Sequence, residues 1–81
     1  MNLEHCSHHE LDATFILEQI SKIEFSMGNR IIAAYSKRFD ELVSDETIVS
    51  YKRMNTARKE CNSRLRAAVA NLNQTYQPVM R

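Results

Sequence analysis

Gly28 and Pro78 are the only glycine and the only proline in the chain. A fold of short strands and tight turns needs such residues at many of its corners, so their scarcity argues against it. Long helices are what remains. The apolar spacing agrees. Ile16, Ile20, Ile23, Met27, Ile31 and Ala34 recur every three or four residues, the mark of one helical face. Ile48, Tyr51, Met54, Ala57, Cys61, Leu65, Ala68, Leu72 and Tyr76 repeat the pattern in the second half. Ser44, with Asp45 and Glu46 behind it, reads as the cap and acidic first turn of that second helix. Gln77-Pro78 reads as its end.

The expectation is an all-α protein of two long antiparallel helices, about 8–43 and about 45–76, forming a helical hairpin. The first stripe keeps its phase across Gly28-Asn29, which favours one continuous helix. The alternative is a kink or a three-helix version broken at that point. A turn near Ser44 sets Gly28 opposite Cys61 and Tyr35 opposite Met54. Gly28 then serves close helix approach. Cys6 and Cys61 fall far apart, so no disulfide is expected. All 81 residues form one domain, with 1–7 as arm and cap and 77–81 as a tail. The core seam is Ile16, Ile20, Ile23, Met27, Met54, Cys61, Leu65 and Leu72. So small a hairpin completes a bundle by self-association or with a partner.

The segment His5–Glu10, "HCSHHE", looks most like chemistry. Ser7 and Glu10 stand at capping-box spacing, with Cys6 and Leu11 placed as a hydrophobic staple. His8 and His9 then point about 100° apart on the first turn, and the remaining sequence has no histidine to complete a metal site. No metal and no cofactor are expected. There is no glycine-rich phosphate loop, no HExxH and no nucleophile elbow. A non-enzyme without a small-molecule substrate follows. No apolar run reaches the roughly 18–20 residues of a membrane span. The N-terminus lacks the basic and apolar regions of a signal peptide, and two cysteines fit a reducing compartment. Together these place the protein in the cytoplasm, away from membrane.

Two surfaces carry the functional expectation. Phe25, Ile32, Phe39 and Val43 form a second apolar row on the first helix, turned away from the first stripe. Left in water, such a row marks an interface with protein or self. The second surface is charged. Residues 1–44 hold four Lys/Arg against seven Asp/Glu (−3), and residues 45–81 hold seven against three (+4). Lys52, Lys59 and Arg66 recur every seven residues, a stripe for nucleic-acid phosphates or an acidic partner. The expected function is a non-enzymatic protein–protein interaction module: a small adaptor, co-chaperone or regulatory subunit in a homo- or hetero-oligomer. The alternative is a dimeric helical-bundle regulator that binds nucleic acid through the basic face of the second helix.

Overall fold

A computed structural model describes residues 2–76, and the backbone alone for 74–76. The Tyr76 side chain and the expected helix end at Gln77-Pro78 lie outside the described residues. Those residues hold three α-helices and no strand. A 3-10 turn, Glu10–Asp12, runs into α1, Ala13–Ile20. α2 is Phe25–Val43, and a second 3-10 turn, Ser50–Lys52, leads into α3, Arg53–Tyr76.

The first helix, expected over about 8–43, is therefore two helices, and the break is not at Gly28. It falls at 21–24. Ser21 Oγ donates to the Glu18 carbonyl at 2.7 Å, a local bond that competes with the helical ladder. Lys22 N and Ile23 N then tighten onto the Gln19 and Ile20 carbonyls. Glu24 turns extended (φ −64°, ψ 145°), and its carbonyl accepts from Gly28 N at 2.9 Å to start α2. Gly28 sits buried in that first turn with ordinary negative φ, in a packing position.

The start of the second helix moves as well. Ser44 caps the end of α2 instead of opening α3. Asp45 Oδ1 accepts from Thr47 N at 2.9 Å and Thr47 Oγ1 at 2.6 Å, an Asx turn that holds the chain out of helix. The branched residues Thr47, Ile48 and Val49 do not resist it. Arg53 Nε then ties the loop down on the Ile48 carbonyl at 2.9 Å. This longer connection slides the pairing of α2 and α3. Tyr35 meets Asn62, and Arg38 meets Glu60, so the two helices run in opposite directions. Neither Tyr35 opposite Met54 nor Gly28 opposite Cys61 is realised in that register.

The core joins Ile16 and Ile20 of α1, Tyr35, Phe39 and Leu42 of α2, and Ala57, Cys61, Leu65 and Val69 of α3, with Cys6 from the arm. Met54, expected in the seam, is exposed; Ile23, Met27 and Leu72 are half-buried. Cys6 and Cys61 are both free, yet they share one core. Their Sγ atoms rest on α2 carbonyls about a turn apart, those of Ile32 and Tyr35. Burial pushes both thiols up, Cys61 to about 11. Tyr35 stacks on Phe39 with ring centroids 6.2 Å apart.

The core face of α2 is thus turned about 100°, one residue, from the expected stripe. Gly28, Tyr35, Phe39 and Leu42 face inward, Ile31 and Ile32 are both half-buried against the core on either side of them, and Ala34 turns toward solvent. Phe39→Ala should cost about 3–5 kcal/mol in urea unfolding, and Phe25→Ser less than about 1 kcal/mol. Equal costs would contradict this division of the row.

Candidate functional site

The N-terminal arm does not form the expected capping box. Ser7 N donates to Ser36 Oγ at 2.9 Å, which fastens the arm to α2. His9 is the cap instead: its Nδ1 accepts from Leu11 N at 3.1 Å. His8 Nδ1 lies 2.7 Å from the Cys6 carbonyl, so the two rings are held on separate backbone partners. The staple fails too, because Cys6 is buried and Leu11 is 74% exposed. A polar contact missed by pattern takes over the anchoring. Arg58 of α3 grips Asp12 with both nitrogens, Nε to Oδ2 at 2.9 Å and Nη2 to Oδ1 at 3.0 Å. Asp12 is the buried acid at the start of α1, so this fork fixes α1 on α3.

The expected partner row is divided by the fold. Phe39 is 4% exposed and belongs to the core. Ile32 and Val43 are half-buried and pack against that core. Phe25 alone stands out, 64% exposed, at the corner where α1 turns into α2, beside Leu17 and Ile23. A row that looked external on one continuous helix becomes internal once residues 25–43 rotate.

What opens to solvent instead is a groove of about 200 Å³ between α2 and α3. Ile31, Ala34 and Tyr35 form one wall, and Cys61, Leu65 and Ala68 the other. Arg38 and Arg64 stand on its rim, joined through Glu60 at 2.6 and 3.2 Å. Arg38 also reaches Glu41 at 3.1 Å. The Arg38 guanidinium holds the Glu60 carboxyl below the usual range. None of the lining residues comes from α1 or the arm; the arm attaches to α2 at Ile32 and Ser36, and α1 is held on α3. Of the expected stripe, Ile31 is half-buried against the core and Ala34 is exposed.

The basic stripe keeps its place. Lys52, Lys59 and Arg66 are all exposed; Lys59 and Arg66 lie about 20° apart around the α3 axis, and Lys52 ends the 3-10 turn just before it. None of the three meets a carboxylate among the described residues. Arg66 covers the Phe15 ring at 5.2 Å and Lys52 the Tyr51 ring at 6.0 Å. Asn55 and Asn62 fall between them, beside Arg58 and Lys59 in a shallow polar hollow. Among the described residues no helix is long and apolar enough to cross a membrane. Compared with known proteins, the chain matches no family, no curated protein and no solved structure.

The Asp12–Arg58 fork makes a pH test of how α1 is held. Arg58 keeps the Asp12 carboxyl below its ordinary value. Its contribution is therefore fully present above the unfolded carboxylate pKa of about 4 and is lost as pH falls through the lower folded value. Asp12→Asn should cost about 1–2 kcal/mol at neutral pH. Urea melts of the two proteins should converge as pH falls through that lowered folded value. A gap that persists there would refute the ionic role.

Proposed function

We propose that this chain is a non-enzymatic protein-interaction module that receives an amphipathic helix in the α2–α3 groove. The observation that carries the reading is an apolar, alanine-bearing trough with arginines on its rim. A trough of this kind suits helix-in-groove recognition, in which apolar residues at i, i+3, i+4 and i+7 enter and flanking charges meet the rim. The rim chooses the partner's chemistry. Arg38 and Arg64 line the groove, with Glu41 and Glu60 as their carboxylate partners. Arg64, 65% exposed and touching Glu60 at 3.2 Å, is the rim cation most open to an acidic helix. Phe25 extends the apolar surface at the α1–α2 corner. The part first given to the whole Phe25, Ile32, Phe39 and Val43 row passes in this reading to the groove.

A second reading has its own support. Lys52, Lys59 and Arg66 form an exposed ridge whose charges meet no carboxylate among the described residues, with Asn55 and Asn62 between them, and nucleic-acid phosphates are the polyanion such a ridge would track. The apolar trough has no part in it.

Titration of the isotope-labelled chain separates the two. A leucine-rich helical peptide with glutamate flanks should shift resonances of Ile31, Ala34, Leu65 and Ala68, and Ala68→Trp should abolish the effect while helicity persists. Duplex DNA or RNA at low salt would instead shift Lys59 and its neighbours, with loss in Lys59→Glu. A groove that stays silent with the peptide contradicts the main reading.

A further inference from the structure

We infer that the open back of α3 seats in the major groove of duplex DNA. The inference rests on the second reading above, deepens it and names its ligand. α1 and α2 pack against one stripe of α3, Ala57, Cys61, Leu65 and Val69. The opposite side of the helix carries Lys59, Ser63, Ala67 and Ala70, all exposed and within about 80° of one another around the axis. Apart from Lys59 these side chains are small. Arg66 stands about 20° beyond Lys59 on one edge, and Arg64 about 60° beyond Ala67 on the other. Lys52 continues the first edge from the 3-10 turn before the helix.

The charge on this face is open. Lys52, Lys59 and Arg66 meet no carboxylate among the described residues. Arg64 touches Glu60 at 3.2 Å and is still 65% exposed. Glu60 is the only acid in the sequence of α3, and Arg38 of α2 holds it at 2.6 Å. Residues 45–81 carry seven Lys/Arg against three Asp/Glu, and residues 1–44 four against seven. A chain that is nearly neutral as a whole therefore turns one positive side outward, the complement of a polyanion.

The arrangement selects among polyanions. Small residues along the centre leave the helix body thin, so it can sink between two rows of phosphates while the flanking cations meet them. The major groove of B-DNA, about 12 Å wide, admits one α-helix. That of an RNA duplex is too narrow for side chains to enter. A single strand is held by bases stacked on aromatic rings, and Lys59, Ser63, Ala67 and Ala70 offer none. The Phe15 ring beside this face already lies under Arg66. With Ser63 as the one hydroxyl at its centre, the face draws its affinity from phosphates, and its sequence preference is slight.

Fluorescence anisotropy of the full chain at low salt tests the inference, with three labelled probes: a mixed-sequence DNA duplex, one of its single strands and the matching RNA duplex. The DNA duplex should bind most tightly, its log affinity falling against log salt with a slope of about −3. Lys59→Glu should weaken that binding about tenfold and flatten the slope by about one. Ala67→Trp is the decisive variant, because it thickens the exposed centre of the face and leaves every charge in place. It should weaken duplex binding by about tenfold or more while circular dichroism keeps its helical signal. A single strand or an RNA duplex that binds as well as the DNA duplex would overturn the seat and leave the ridge reading standing. Duplex binding indifferent to Ala67→Trp would do the same. If none of the three probes binds at low salt, both fall.

Discussion

Every other element packs on one surface, the stripe Ala57, Cys61, Leu65 and Val69 along α3. Its steps are all of four residues. Four residues turn a helix 400°, so the stripe drifts about 40° at each step and about 120° from end to end. A single straight partner cannot follow that drift. Two helices can, and α2 and α1 divide the stripe between them, α2 through Tyr35, Phe39 and Leu42 and α1 through Ile16 and Ile20. The Asp12–Arg58 fork holds the second of these contacts in register. For so short a chain the arrangement buries both faces of a sequence that a two-helix hairpin would leave half in water.

That geometry also explains what was legible beforehand. The helical class followed from the scarcity of glycine and proline, and the middle of α3 from its spacing. The break at 21–24 did not, because Ile20, Ile23 and Met27 keep helical spacing across it. Periodicity cannot separate one helix from two whose apolar residues happen to stay in phase. The break depends on Ser21, Lys22 and Ile23 tightening back on Glu18, Gln19 and Ile20, contacts that propensity does not single out. Two apolar rows on one supposed helix were the available clue: Ile16 and Ile20 serve α1, while Ile32, Phe39 and Val43 serve α2. Reading the second row as an outward interface followed from keeping the helix whole.

The site was legible in part for the same reason. Lys52, Lys59 and Arg66 are exposed, since charged residues at helical spacing need only water. Their use is a separate matter from their exposure. The groove residues Ile31, Ala34, Leu65 and Ala68 were all visible as apolar positions, but whether a position faces core or solvent depends on rotation about the helix axis. The asymmetry of charge, acidic in the first half and basic in the second, was visible from composition.

The account turns on the rotation of α2, for the same turn that hides Phe39 opens Ala34 and leaves Ile31 half-buried at the wall of the groove. Solvent paramagnetic relaxation, read on side-chain methyl groups at a concentration low enough to exclude self-association, tests that rotation directly. Ala34 should be relaxed strongly by a soluble probe, and Leu42 and Leu65 weakly. A shielded Ala34 with an accessible Leu42 would restore the continuous-helix phase and contradict the groove.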